Sequence, residues 1–307
     1  MAFGEIYREQ VRLLVRTLPY IAREDCFALK GGTAINLFIR DLPRLSVDID
    51  LTYLPDADRQ TALVAIEKAL QRITAALQVA LPDVRITESR PHSQTTINKL
   101  IVRTRHGVQI KIEVTPVLRG SVFSPSRRTV VPRVEDEYGF AEITVLHFAD
   151  LFAGKIMAAL DRQHPRDLFD VSLLLDNEGI DAELRSAIII YLISHDRPPD
   201  ELLEPAEKDI AHEYETGFTG MTDQPVELHQ LIAARHKLSS DLLDNMPDHH
   251  KQFLISFYRQ EPDWALLGLP GVESLPAVGW KQKNLNKASK ARQDALNNSL
   301  SALLSSE

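Results

Sequence analysis

Two aspartates stand two residues apart in the stretch RLSVDIDLTY, which covers residues 44–53. Apolar residues alternate strictly with Ser46, Asp48 and Asp50, and this period of two predicts a β-strand whose polar side chains share one face. Aspartate is depleted in strands, and neighbouring carboxylates repel each other unless a positive charge lies between them. The pattern therefore indicates either an edge strand with a solvated face or a pair of metal ligands.

A pair of glycines and a third carboxylate extend this pattern. Gly31 and Gly32 lie between a short apolar strand and a predicted helix, where glycine lets the backbone approach a ligand closely. Thr33 follows at the start of that helix, whose first N–H groups can face an anion. Glu113 stands between two apolar residues on a later predicted strand.

This combination of residues suits a magnesium site. Mg²⁺ is a hard cation that takes carboxylate, water and phosphate oxygens. Two such ions about 4 Å apart stabilise both the attacking and the leaving oxygen of an in-line phosphoryl or nucleotidyl displacement. We therefore predict Asp48, Asp50 and Glu113 as metal ligands, and Gly31 and Gly32 as part of an NTP-binding site.

The order of elements predicts an α+β fold. Strand patterns are confined to about the first 130 residues, and the rest of the 307-residue chain reads as helix. We predict a catalytic lobe with a small mixed sheet at residues 1–142, in which residues 120–140 form an irregular loop, and a helical lobe at 143–307. No membrane span or export signal is evident, and a single cysteine, Cys26, fits the reducing cytoplasm.

Positive charge is concentrated in one segment of an otherwise acidic chain. The formal net charge is −8, yet residues 99–133 hold eight Lys and Arg against one acidic residue, Glu113. Such a cluster is either a solvated face or a surface for a polyanion. The residues predicted to bind RNA are Arg103, Arg105, Arg119, Arg127, Arg128 and Arg133. A second predicted anchor consists of Lys281, Lys283, Lys287 and Lys290.

The motifs GGT and SVDIDL, followed by a further carboxylate, resemble the nucleotidyltransferase superfamily with the polymerase-β-like fold. The segment DLFAGKIMAALDRQHPRDLFDV at 150–171 resembles a narrower group, the AbiEii / MenT-type nucleotidyltransferase toxins of type IV toxin–antitoxin systems. A third motif, LPAVGWKQKNLNK at 275–287, also resembles that family. The resemblance covers nearly the whole chain.

The resemblance implies roles for particular residues. The essential positions of the family fall on Ser46, Asp48, Lys155 and Asp170, and Asp50 completes the D-x-D motif. Lys155 would meet the triphosphate as a point charge. Ser46 would contact a phosphate or support the D-x-D strand. The residues themselves also allow a structural alternative, in which Asp170 is only the i+4 salt-bridge partner of Arg166.

The resemblance also implies a Mg²⁺-dependent toxin that transfers NMP from an NTP to RNA. The acceptor would be the 3′ end of tRNA, translation would stop, and a neighbouring gene would encode an antitoxin. Two alternatives remain open: nucleotidylation of a protein or small molecule, and a non-catalytic binding module with a decayed site. The sequence gives no support for zinc, because the histidines form no ligand pattern, or for a P-loop ATPase, because G-x-x-x-x-G-K-[ST] is absent.

Overall fold

The structure is a computed structural model and describes residues 4–90 and 96–305. The chain forms two compact units. The first comprises the described residues up to His147 together with Thr219–Pro225, and the second comprises Phe148–Phe218 and the described residues from Val226 onward. None of the helices in the described part of the chain is long and apolar enough to cross a membrane.

A seven-stranded mixed sheet forms the centre of the first unit, as the predicted α+β fold requires. Its strands are β1 (Phe27–Lys30), β2 (Asp48–Tyr53), β3 (Val84–Ser89), β4 (Lys99–Thr104), β5 (Gln109–Thr115), β6 (Ser126–Thr129) and β7 (Glu142–Val145). They lie in the order β3-β4-β5-β2-β1-β7-β6. The pairs β2–β5 and β1–β7 are parallel, and the other neighbouring pairs are antiparallel. The predicted domain boundary after residue 142 lies inside β7.

Helices cover the apolar side of this sheet. They are α1 (Glu5–Ile21), α2 (Gly31–Ala34), which continues as a π-helix over Ile35–Ile39, α3 (Arg59–Ala80) and α4 (Pro132–Tyr138). Helix α3 contacts β3 and β4, and α1 contacts β5 and β7. Ile49, Ile112 and Leu100 share one row of the sheet and are fully buried. Burying each such side chain contributes about 1.5–3 kcal/mol, which fixes the face that the alternating polar residues must occupy.

Two local predictions were wrong for reasons of tertiary pairing. The strand predicted from residue 44 begins only at Asp48, because the preceding segment pairs with the returning segment 219–225. Leu45 donates its N–H to the carbonyl of Met221 at 2.7 Å, and Arg44 forms an antiparallel bridge with Thr222. Residues 120–140, predicted as an irregular loop, contain β6 and α4.

The second unit is helical. Its helices are α5 (Phe148–Arg162), α6 (Pro165–Asn177), α7 (Ala182–Ser194), α8 (Pro199–Leu203), α9 (Ala211–Gly217), α10 (Leu228–Asp244), α11 (Asp248–Tyr258), α12 (Pro276–Lys287) and α13 (Lys290–Ser305). The aliphatic run at 187–193 forms most of α7, which packs against α5. A helix that is apolar on nearly every side belongs in a core, and this one is buried there.

Candidate active site

The two glycines join β1 directly to α2 and lie against side chains of β2 and of the segment before it. Gly31 has φ +72°, and a Cβ at this position would be 2.5 Å from Oδ2 of Asp50. A Cβ on Gly32 would be 2.6 Å from Nη2 of Arg44 and 2.9 Å from Oγ of Ser46. Gly31 is therefore favoured both by its positive φ and by the approach of Asp50, whereas a side chain at Gly32 would displace Arg44 or Ser46.

Hydroxyl and amide groups fasten α2 to the D-x-D strand. Thr33 donates from Oγ1 to the backbone carbonyl of Asp48, and the same oxygen lies 3.1 Å from Oγ of Ser46. Asn36 donates from Nδ2 to the carbonyl of Gly32 at 2.9 Å. Thr33, Ser46 and Asn36 are all buried, so these contacts hold the start of the D-x-D motif in a fixed position.

Four charged residues form one row across the sheet. The strand registers place Lys30 opposite Asp50, Asp50 opposite Glu113 and Glu113 opposite Lys99, so all four side chains share the polar face. Lys99 pairs with Glu113 at 2.9 Å, and Lys30 donates to Oγ1 of Thr115 at 2.8 Å. Burial lowers the pKa of Lys30, while the charges of Asp50 and Glu113 act in the opposite direction. The lysines at the two ends of the row offset the repulsion between the central carboxylates.

Asp48 lies on the same polar face, one row away, opposite Lys111. It is half-buried, and its carboxylate forms no ion pair with any described residue. Among the described residues, no group of three or more His, Cys, Asp and Glu is arranged to hold a metal ion as it stands. Asp48 and Asp50 nevertheless supply a donor set that fits Mg²⁺, which is commonly held by one or two carboxylates together with waters and substrate phosphates.

Lys155 and Asp170, both predicted from the family resemblance, meet in the second unit. Nζ of Lys155 on α5 lies 2.9 Å from Oδ1 of Asp167 and 3.0 Å from Oδ2 of Asp170 on α6. All three side chains are buried, with at most 6% exposed. Arg162 also pairs with Asp167. Burial raises the pKa of Asp167, but the charges of Lys155 and Arg162 hold it well below its usual range.

Sequence reasoning missed two residues beside the D-x-D motif. Arg44 is only 2% exposed, contacts Gly32 and donates from Nη1 to the carbonyl of Leu45 at 2.9 Å. Lys30 completes the charged row. Both residues stand next to motif residues in the sequence. A lone basic residue at the end of a strand is ordinarily solvated, so the sequence pattern did not indicate that Arg44 is buried or that Lys30 lies opposite Asp50.

The polar face also carries basic side chains towards the β3 edge of the sheet. Arg85 and Arg103 are directly opposite each other on β3 and β4, and Lys111 lies between Asp48 and Ile101. Arg85, Arg103 and Lys111 are exposed. We call these three residues the polar-face basic group. Sequence reasoning singled out Arg103 from this group as an RNA-binding residue but did not indicate that it shares a face with Asp48.

The remaining basic residues differ in their surroundings. Arg119 is 6% exposed and donates to the carbonyls of Ala57 and Asp58, so it is held inside the unit. Arg133 bridges Glu137 and Asp223. The side chain of Arg105 is exposed, and its Nη2 donates to the carbonyl of Pro82 at 3.4 Å.

Arg127 and Arg128 are adjacent on the edge strand β6 and therefore point to opposite faces. The registers place Arg127 on the side of Thr144 and Arg128 on the side of the buried Ile143. Arg127 pairs with Glu142 at 3.0 Å. Arg127 and Arg128 therefore cannot both contact a ligand that lies on one face of the sheet, although they are adjacent in the sequence.

The fold and the D-x-D site together define a class of protein. The family described as "Nucleotidyl transferase AbiEii toxin, Type IV TA system" matches residues 12–283, and the chain belongs to this family. It is a nucleotidyltransferase, and the family implies an NTP substrate and an antitoxin partner.

A solved structure agrees with this assignment at the level of the fold. The chain is similar to MenT4, a nucleotidyltransferase toxin from Mycobacterium tuberculosis, with a TM-score of 0.61 and 14% sequence identity. The similarity covers 97% of this chain and 94% of MenT4. No curated protein matches the chain. The predicted resemblance and fold class are thereby confirmed.

Proposed function

We propose that the protein transfers a nucleoside monophosphate from an NTP to an RNA acceptor, with Mg²⁺ as the metal. The proposed acceptor is the 3′ end of tRNA, whose modification would block translation. The observation that carries this proposal is the exposed polar face of the sheet, where the D-x-D carboxylates and the polar-face basic group lie on one surface. A nucleotidyltransferase that acts on RNA gains from such a surface, because basic side chains attract the polyanion towards an acidic site.

Asp48 and Asp50 are the proposed metal ligands, and bound Mg²⁺ would stabilise the charge that develops on the phosphate oxygens. The acceptor hydroxyl oxygen attacks the α-phosphorus, the bond to the bridging oxygen of the β-phosphate breaks, and pyrophosphate leaves. Glu113, which lies beside Asp50, is the proposed third ligand or the base that takes the hydroxyl proton. Lys99 pairs with Oε2 of Glu113, so Oε1 is the proposed oxygen for either role while that pair persists.

The proposed NTP-binding residues are Gly31, Gly32, Thr33, Ser46 and Lys155. The first four surround the start of α2, where their contacts leave little freedom for the backbone. The roles of Lys155 and Asp170 follow from the family resemblance. Their mutual ion pair, at 3.0 Å, supports a fixed position for the ammonium group that is proposed to meet the triphosphate.

The proposed acceptor surface is the polar-face basic group, with Arg105 and Arg127 at its margins. The strand that carries Lys111 is the neighbour of the strand that carries Asp48, so the backbones of these two residues are about 5 Å apart. The backbone of Arg103, on the next strand, is about 10–12 Å from that of Asp48. Arg85 and Arg103 are directly opposite each other, and like charges in this position destabilise a sheet. A phosphate of bound RNA would relieve the repulsion between them. We leave the buried Arg119 and the doubly paired Arg133 out of this surface.

The test of the reaction is incubation of the protein with each labelled NTP, Mg²⁺ and either total cell RNA or total cell protein. Label on tRNA, mapped to the 3′ end, is the expected result. Asp48→Asn should reduce transfer about 1000-fold or more without lowering the melting temperature, since it removes a metal ligand and an unpaired charge. Asp25→Asn, the same change at an exposed aspartate outside the proposed site, is the control and should leave transfer unchanged.

Two outcomes would contradict the proposal. Label found on protein alone would favour the protein-modifying alternative. A fall in melting temperature that accounts for the lost activity of Asp48→Asn would favour a structural role for this carboxylate.

The acceptor surface has its own control within the sheet. Arg103→Gln should weaken RNA binding and reduce the dependence of log K on log[salt] by about 0.7–0.9, the amount for one phosphate contact. Arg128→Gln, which removes the same charge from the opposite face, should change that dependence much less. Equal effects of the two variants would argue against a specific surface around Asp48.

The biological role requires a test in cells. Expression of the protein should stop translation in a manner that depends on Asp48, and co-expression of the neighbouring gene should restore growth if that gene encodes the antitoxin. Growth arrest by Asp48→Asn equal to that of the unchanged protein would separate toxicity from nucleotidyl transfer.

A further inference from the structure

Helix α12 has two different faces. Ala277, Val278 and Leu285 are buried on its inner face. Lys281 also lies on this side, and its ammonium group donates to the carbonyls of His195 and Arg197 beyond the end of α7. These contacts tie α12 to the segment that follows α7, so Lys281 has a structural role and is removed from the predicted RNA anchor.

The outer face of α12 is formed by Trp280, Lys283, Asn284 and Lys287. These positions are i, i+3, i+4 and i+7, which share one side of a helix, and all four residues are exposed. Trp280 is 46% exposed. The other tryptophan, Trp264, instead lies against the ring of Phe253, with centroids 5.2 Å apart. An indole left in solvent beside two ammonium groups therefore distinguishes this face from the aromatic core of the unit.

The charge of this region is positive although the protein is acidic. Residues 275–293 contain no Asp or Glu. Neither Lys283 nor Lys287 forms an ion pair with a described residue, whereas Lys290 on the next helix pairs with Asp294 at 3.2 Å. A cationic strip with an exposed aromatic ring complements a polyanion that has flat, stackable groups.

We propose that the outer face of α12 binds single-stranded RNA. A base would stack on the indole of Trp280, while Lys283 and Lys287 would contact phosphates. Seven residues of helix rise about 10.5 Å, which matches the length of about three stacked nucleotides. The inference rests on the proposed function for the class of acceptor, and it adds a stacking residue and a second set of phosphate contacts.

Intrinsic fluorescence can report on this contact directly. In a Trp264→Phe background, Trp280 is the sole tryptophan, because the chain contains two. A single-stranded oligoribonucleotide of about 12 nucleotides ending in CCA should quench its emission in a saturable way. Trp280→Ala should weaken binding of this oligonucleotide, measured by anisotropy of a label on the RNA, about 5- to 150-fold.

The lysines supply an independent variant that leaves the tryptophan in place. Lys283→Gln with Lys287→Gln should reduce the dependence of log K on log[salt] by about 1.4, the value for two contacts with a single strand. Lys237→Gln, a change at an exposed lysine of the second unit outside α12, should leave this dependence unchanged. Melting curves of all variants verify that they are folded.

The possible results separate this inference from the proposed function. Quenching by RNA without transfer of label to RNA would support the binding face and refute the proposed reaction. Transfer to RNA with unquenched Trp280 and unchanged affinity in both variants would refute the binding face alone. Quenching by the antitoxin but not by RNA would also overturn the inference, and would assign the face to a protein partner.

Discussion

Replacing Lys155 by methionine should lower the free energy of unfolding by about 3–5 kcal/mol, because removal of one partner leaves buried charges uncompensated. The ammonium group lies within 3.0 Å of carboxylate oxygens from both Asp167 and Asp170. Both aspartates are 1% exposed, so water cannot take its place. Arg162 remains beside Asp167, but its side chain is 62% exposed, so the solvent around it weakens its compensation of the buried charge.

A second substitution tests whether the cost arises from the unpaired carboxylate. In the double variant Lys155→Met with Asp170→Asn, the pair of Asp167 and Arg162 remains and the cluster is again neutral. The double variant should therefore be more stable than the sum of the two single effects indicates, by about 1–3 kcal/mol. Additive effects would mean that Lys155 and Asp170 do not interact energetically despite the 3.0 Å contact.

The assay is urea unfolding followed by far-UV circular dichroism, first at pH 7 and then at decreasing pH. The pKa of Asp167 is held below its value in the unfolded chain. Its stabilising contribution is therefore complete above about pH 4 and is lost as the pH falls below that value. Lys155→Met should lose less stability on acidification than the unchanged protein does. A variant that unfolds like the unchanged protein would refute this reasoning and would leave triphosphate binding as the explanation of any lost activity.

Three further predictions concern single residues. Gly31→Ala should lose more stability and activity than Gly107→Ala, since both glycines have positive φ but only Gly31 places its added Cβ against Asp50; melting curves and transfer assays compare them. Burial and two nearby basic groups lower the pKa of His250 from 6.5 to about 4. The free energy of unfolding should therefore fall by up to about 3 kcal/mol as the pH is lowered from 6.5 to 4, because the unfolded chain binds the proton more readily. His250→Leu should remove this pH dependence. Burial, followed by the charge of a nearby glutamate, raises the pKa of Cys26 to about 11, so alkylation at pH 8 should be about 100-fold slower than in the urea-unfolded chain.

One result would contradict each of these three predictions. Equal losses of stability in Gly31→Ala and Gly107→Ala would mean that the effect at Gly31 comes from its positive φ and not from the contact with Asp50. A flat stability profile between pH 4 and pH 6.5 would contradict a neutral, buried His250. Alkylation of Cys26 at the rate of the unfolded chain would contradict its burial.

The sequence by itself determined the local framework of the site. Strict alternation around Asp48 and Asp50 indicated which face of β2 is polar, because the side-chain period of a strand is two regardless of its neighbours. The hairpin between β4 and β5 followed from the short His-Gly connection, and Gly107 there has φ +87°. The family motifs pointed to Lys155 and Asp170 without any knowledge of how the chain folds.

Tertiary structure decided which distant residues meet. Strand register brought Lys30, Asp50, Glu113 and Lys99 into one row, and no periodicity within a single segment specifies such a register between segments. The same holds for the start of β2, which depends on a segment that returns to the first unit more than 170 residues later, after Thr219.

The surroundings of basic side chains likewise depended on long-range packing. Arg119, Lys281 and Arg128 look alike in the sequence as positive residues of two basic segments. In the structure Arg119 is buried on backbone carbonyls, Lys281 caps the end of α7, and Arg128 is exposed at a sheet edge. A charge count reports how many cations a segment contains, whereas only the packing of other elements determines which of them can reach a ligand.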